Sequence, residues 1–206
     1  MVSKDREYRH FQFRASEQEG KMIIEGYAVV FEKPTTMYSF DGIDYQEQIM
    51  RSAFDNCQMD DVVLNIDHSG KPLARTKNGT LKLSIDDIGV FVRADLSGTE
   101  QGRQAYEEIK GGYFDKMSFC FITSEDGESY DKENHIRSIT GIERLFDVSV
   151  VTFPAYDTTS VYARSYFEVE AEKEHLEKCK NQVLERRRML KRKTLAAKIK
   201  LLKEEK

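Results

Sequence analysis

Between residues 22 and 164, apolar side chains recur at alternate positions in short runs, and this spacing predicts half-buried strands. Residues 22–31 are rich in β-branched and aromatic side chains, with Gly26 a candidate bulge, and Lys33-Pro34-Thr35 interrupts the run. A short strand is expected over 45–50, a helical turn over 51–56 capped near Ser52, and a further strand over 62–68 that ends before a loop at Ser69-Gly70. Residues 80–84 and 89–96 read as a hairpin turned at Asp86-Asp87. Thr99 then caps the one clear helix of this region: Glu100 lies in the first turn, Ala105, Tyr106 and Ile109 form the inward stripe, and Gly111-Gly112 stop it. Strands follow over 113–122, 135–140 and 142–153, with a polar loop over 124–134, a close at Pro154-Ala155-Tyr156 and a last short strand at Val161-Tyr162-Ala163. Many short strands with one helix among them predict a β-barrel or a compact β-dominated α+β domain. Residues 1–21 are polar and mixed in charge, and are expected to be a mobile leader or an early edge strand.

From residue 166 onward there is no glycine or proline, and Val169, Leu176, Val183, Leu190 and Ala197 recur every seven residues among charged neighbours. The pattern predicts a long helix over 165–206 with one thin apolar seam, enough for a weak coiled coil. Charge separates the same two parts: residues 165–206 carry 13 Lys and Arg against 8 Asp and Glu, and the rest of the chain carries 19 against 28. The cluster Arg186-Arg187-Arg188 with Lys191-Arg192-Lys193 is open to a nucleic-acid reading. No aromatic residues interleave with it for base stacking, and the acidic body repels phosphate. A helix that docks on an acidic partner or scaffold fits better, and nucleic acid is not expected as a partner.

The chain has 206 residues, 39% hydrophobic and 33% charged, which suffices for one domain with a core and an appendage. No run of eighteen apolar residues predicts a membrane span, and the N-terminus has no apolar stretch of the signal-peptide kind. Cys57, Cys120 and Cys179 are scattered, so neither a disulfide framework nor a zinc site is expected; a reducing compartment fits, with Cys57 and Cys120 as buried thiols.

The run Lys116-Met117-Ser118-Phe119-Cys120-Phe121 sets a serine inside an apolar strand pattern. Because a strand alternates its faces, Met117, Phe119 and Phe121 can fill a core while Ser118 points the other way. A hydroxyl held on a strand becomes a nucleophile if an imidazole can reach it and a third group orients that imidazole. Of the four histidines, His10 lies in the leader and His175 in the tail helix, which leaves His68 and His135. His68 is the candidate base. Asp147, in the apolar run Leu145-Phe146-Asp147-Val148-Ser149-Val150-Val151, is the candidate third member, since a carboxylate there needs a partner. An ion pair with Arg144 or Arg137, or exposure on the outer face, would also account for Asp147. His135 is the alternative third member, and Asp67 is the weaker orienter because it falls on the opposite strand face.

Taken in order, several segments resemble the tailed-bacteriophage prohead (capsid maturation) protease family over about residues 22–164. They are residues 26–31, Gly-Tyr-Ala-Val-Val-Phe; Glu47-Gln48-Ile49 with Ala53-Phe54; Asp67-His68; the glycine pair before Met117-Ser118-Phe119-Cys120-Phe121; and Asp147-Val148-Ser149-Val150-Val151 with Pro154-Ala155-Tyr156. The resemblance implies a herpesvirus assembly-protease type of fold, a β-barrel flanked by helices, and serine endopeptidase activity. It places the family histidine on His68, the serine on Ser118 and the acidic residue, usually glutamate, on Asp147, one methylene shorter. Cys120 stands where the family has a small residue and is expected to pack beside Ser118. Arg137 and Arg144 are candidate oxyanion donors alongside backbone N–H groups, and no metal or organic cofactor is implied. The implied partners are the major capsid protein and the scaffold protein, with self-association a further expectation, inside the assembling prohead in the bacterial cytoplasm. The helix over 165–206 is expected to tether the enzyme to scaffold and to be trimmed by it. The rival reading is a non-catalytic assembly scaffold component that docks through this helix.

Overall fold

A computed structural model of the chain describes residues 7–18, 20–152 and 161–204. It divides into two compact units, Met1–Ser165 and Tyr166–Lys206.

In the first unit the described strands are β1 Glu7–Gln18, β2 Lys21–Val30, β3 Thr35–Phe40, β4 Ile43–Ile49, β5 Val63–Ile66, β6 Ser69–Arg75, β7 Leu81–Ile85 and β8 Gly89–Asp95, then β9 Lys116–Thr123, β10 Glu128–Asp131, β11 Ile136–Ile139 and β12 Ile142–Val151. Helix α1, Glu100–Lys110, lies between β8 and β9, and Thr99 caps it by accepting from Gly102 N at 2.9 Å. Eight strands form one sheet in the order β6-β5-β12-β9-β1-β2-β8-β7, and four form another in the order β10-β11-β4-β3.

The edges of the larger sheet, β6 and β7, are joined by residues 76–80 alone. A link that short spans at most about 20 Å, whereas eight strands laid flat would be roughly 34 Å across. The sheet therefore has to curl until its edges approach one another. They do not pair, so the expected barrel is corrected to a curled sheet left open between β6 and β7. The inside of the curl is the core: Ile24 and Val29 from β2, Val90 and Val92 from β8, Phe119 and Phe121 from β9, and Val148 and Val150 from β12 are all buried there. Helix α1 packs against β1, β2 and β6 and adds Ala105, Tyr106 and Ile109 to the same cluster.

Several expectations change. The segment read as a leader or edge strand is β1, an interior strand paired on both sides, from Phe13↔Gly26 to Gln18↔Lys21 on β2 and from Glu7↔Phe121 to Gln12↔Lys116 on β9. The turn after β4 is a short 3-10 helix, Arg51–Phe54, whose cap position is Met50 rather than Ser52. Strand β6 occupies the expected loop at Ser69-Gly70, β10 lies within the expected polar loop, and β3 follows directly on the Lys33-Pro34 break. Val161 opens helix α2, Val161–Glu204, rather than a strand, and Pro154-Ala155-Tyr156 lies outside the described residues. On α2, the seam residues Val169, Leu176, Val183 and Leu190 are each about half exposed. No helix among the described residues is long and apolar enough to cross a membrane.

Arg137, on β11 of the smaller sheet, is fully buried and level with Glu47 on β4. Its Nη1 donates to Glu47 Oε2 at 2.8 Å and its Nε to Glu128 Oε2 at 2.9 Å. It is the ionic centre of that sheet. Replacing it with methionine strands the buried Glu47 carboxylate, so Arg137→Met is expected to lower unfolding free energy by about 3–5 kcal/mol, with Glu47→Gln/Arg137→Met recovering much of the loss, as read by urea denaturation. Deleting residues 1–18 removes the one strand that joins β9 to β2, and the truncated protein is expected to lose cooperative thermal unfolding followed by circular dichroism.

Candidate active site

Parity on two neighbouring strands separates core from chemistry. On β9, Met117, Phe119 and Phe121 enter the core, while Ser118 and Cys120 lie on the other face and are likewise fully buried. On β12, Val148 and Val150 enter the core, and Asp147 and Ser149 take the other face. The ladders put Ser149 level with Ser118 on one side and with Asn65 of β5 on the other. Directly opposed residues share a face, so Asn65, Ser149 and Ser118 form a polar row across three strands. One row along, Asp147 is level with Cys120 and Val63.

His68 enters from a turn. Ile66 pairs with Ser69, and the two residues between them, Asp67 and His68, have φ of 46° and 54°. A two-residue hairpin of the type I′ kind requires positive φ at both positions, a conformation that costs side-chain-bearing residues of order 1–3 kcal/mol each. The surroundings hold it: Asp67 N donates to Val150 O, and the Asp67 carboxylate accepts from Thr152 N and Thr152 Oγ1, each at 2.9 Å. The expected strand over 62–68 thus ends at Ile66, and Asp67 anchors the turn rather than orienting the imidazole.

The ring reaches Asp147, with His68 Nδ1 lying 2.6 Å from Asp147 Oδ1. An ionised carboxylate only accepts, so Nδ1 carries the proton and the neutral ring presents its lone pair at Nε2. The same oxygen, Asp147 Oδ1, accepts from Ser149 Oγ at 2.8 Å. No arginine among the described residues pairs with Asp147, which removes the ion-pair readings of this carboxylate. Ser118 Oγ is buried and makes no hydrogen bond among the described residues, so the link from hydroxyl to imidazole is not formed in this structure. Asn65 Oδ1 is the other buried side-chain oxygen without a partner among the described residues, and it belongs to the same row.

The remaining sites expected from the sequence lie elsewhere. His135 sits beside Tyr45 in the smaller sheet, its ring 5.1 Å away and its Nδ1 3.4 Å from the Tyr130 hydroxyl, and does not meet Asp147. Arg137 is committed to Glu47 and Glu128 in that sheet, and the Arg144 guanidinium is exposed and lies 5.5 Å over the Phe146 ring. Arg137 is thereby held by two carboxylates of the smaller sheet. His175 lies in the second unit, beside Cys179 at 3.6 Å. His10, set aside as part of a leader, has its backbone level with Ser118 on β1.

Ser149 and Asn65 are the polar residues of this face that received no role from the sequence. Ser149 shares the parity of Asp147, a signal already present in the run of residues 145–151, whereas Asn65 becomes visible only once β5 is known to pair in parallel with β12.

Among solved structures, that of the bacteriophage T4 capsid assembly protease, gp21, is similar to 73% of this chain and 98% of that chain, with 11% identity and a TM-score of 0.49. No curated protein matches the sequence. The family of caudovirus prohead serine proteases matches over residues 9–175, from β1 into α2, and the chain belongs to that family.

Proposed function

We propose that this capsid maturation protease is a serine endopeptidase in which Ser118 is the nucleophile, His68 the general base and Asp147 the group that orients and charges the base. The observation that carries the reading is the 2.6 Å bond from His68 to a carboxylate on the same sheet face as the buried, unpartnered Ser118 hydroxyl. Family membership supplies the reaction class.

In the forward step His68 Nε2 takes the Ser118 proton as Oγ adds to the peptide carbonyl, and the resulting imidazolium donates Nδ1–H to Asp147. The tetrahedral adduct collapses when Nε2 returns the proton to the leaving amine, leaving an ester on Ser118. Water, deprotonated by the same nitrogen, then hydrolyses that ester and frees the hydroxyl. With Arg137 held by Glu47 and Glu128, backbone N–H groups are the donors proposed for the oxyanion. Ser118 is fully shielded from solvent, so a peptide reaches it only once this face opens. The substrates proposed are the capsid and scaffold proteins of the prohead, with the chain's own C-terminal helix as a further substrate.

Co-expression with the cognate capsid protein tests the nucleophile. Ser118→Ala is expected to fold as the wild type does and to abolish processing; a variant that still processes the capsid protein would exclude Ser118. Asp147→Asn is expected to lower kcat by roughly 10³–10⁴-fold, because an amide can present a donor to Nδ1 and favour the wrong tautomer.

Accessibility separates the three thiols. Burial pushes the Cys57 thiol up to about 11, and Cys120 is wholly enclosed, whereas Cys179 is exposed. Maleimide near neutral pH is expected to modify Cys179 first and leave cleavage intact, as followed by mass spectrometry; inactivation in step with labelling of Cys120 would point to a cysteine nucleophile instead.

A further inference from the structure

We infer that Ser149 is a positioning residue that fixes the Asp147 carboxylate toward the imidazole, an inference that rests on the roles given above to His68 and Asp147. A serine hydroxyl has one proton to give. Ser149 is fully buried, and its row holds two further buried acceptors without partners, Ser118 Oγ and Asn65 Oδ1. Its proton goes to neither of these. It goes along its own strand to Asp147 Oδ1, the oxygen that also meets His68 Nδ1.

Two donors on one oxygen define the rotation of the carboxyl group. If the hydroxyl is removed, Oδ1 keeps the ring alone, and the carboxylate can turn about its Cβ–Cγ bond and let the imidazole tilt away from Ser118. Aspartate makes this brace matter: with one methylene fewer than glutamate, it has little slack to recover a lost angle. A serine that merely occupied space on β12 would have no such effect, since alanine is smaller and fits the same strand position. Asp147 meets the ring from β12, Asp67 beside it in the turn is held by Thr152, and Cys120 is level with Asp147 on β9.

The test compares wild type, Ser149→Ala and Ser149→Thr as full-length protein, by proton NMR and by cleavage. The signature is the downfield Nδ1 proton of His68, assigned by its absence from His68→Gln. It is expected to be sharp in the wild type and in Ser149→Thr, and broadened or lost in Ser149→Ala. In cleavage, Ser149→Ala is expected to lower kcat about 10- to 100-fold with KM nearly unchanged, and threonine to restore most of it. An undiminished Nδ1 signal in Ser149→Ala overturns the inference, as does a wild type that shows no such signal or a loss confined to KM. Should the alanine variant fail to fold, Ser149→Cys keeps the volume with a weak donor, and the same broadening is expected. A wild type that shows the braced proton signal but cleaves nothing would overturn the peptidase reading and leave the brace standing.

Discussion

The burial of one carboxylate organises this molecule's chemistry. Asp147 sits on a strand whose neighbours are valines and phenylalanine, with its side chain about nine-tenths hidden from solvent. A charge in such a place persists only when hydrogen bonds replace its water. The fold supplies two, from His68 and Ser149, and both end on a single oxygen. The rest of the arrangement follows from that economy of donors. The imidazole is held in one tautomer with its acceptor nitrogen buried, and the strand beside Asp147 carries the serine whose proton that nitrogen is proposed to take.

The larger sheet is built to make this meeting possible. Ser118, Asp147 and His68 are far apart in sequence, and they become neighbours because β12 inserts between β9 and β5, antiparallel to one and parallel to the other. A parallel neighbour needs a long crossover, and here the chain between β5 and β12 carries six strands, β6 to β11, and helix α1. The same insertion forces the curl, because it sends β6 to one edge while β7, five residues later, must start the other. The enclosed side of the curl is apolar and continuous. Ser118 and Asp147, the groups proposed to react, lie on the opposite face, so the alternation of each strand keeps packing apart from the proposed chemistry.

Much of this was legible where one strand carries both signals. The parity of Met117, Ser118, Phe119 and Phe121 separated the core face from the face of the proposed nucleophile, and a lone aspartate among valines marked Asp147 as a group in need of a partner. Thr99 and the glycine pair bounded α1 for the local reasons that bound any helix. Legibility failed where edge or charge diluted the pattern. In β1, Phe11, Phe13 and Ala15 alternate with polar residues, but the flanking charges read as a solvated leader. Strand β6 opens with Ser69-Gly70-Lys71-Pro72, which reads as a loop, and proline is tolerated there because β6 is an edge. Arg137 could be matched to an oxyanion in sequence because nothing local shows that Glu47, ninety residues away, already holds it. Ser149 was visible as a letter in a motif and invisible as a donor, since one-dimensional spacing gives its face but not its hydrogen bond.

An aspartate at position 147, one methylene shorter than a glutamate, has a geometric consequence. A shorter carboxyl arm must be met by an imidazole that comes further, and His68 stands at the second place of a hairpin turn whose positive φ values swing the side chain back over the sheet it has just left. Such a turn is unfavourable for Asp67 and His68 on intrinsic preference, and glycine or asparagine would relieve it. Neither could replace His68 without loss of the imidazole that meets Asp147, nor could glycine or asparagine replace Asp67 without loss of the carboxylate that takes both Thr152 donors. Backbone strain at the turn, a short acid on the strand and a serine brace beside it are therefore one solution rather than three features, and a longer acid at 147 would need a different turn to keep the same ring in place.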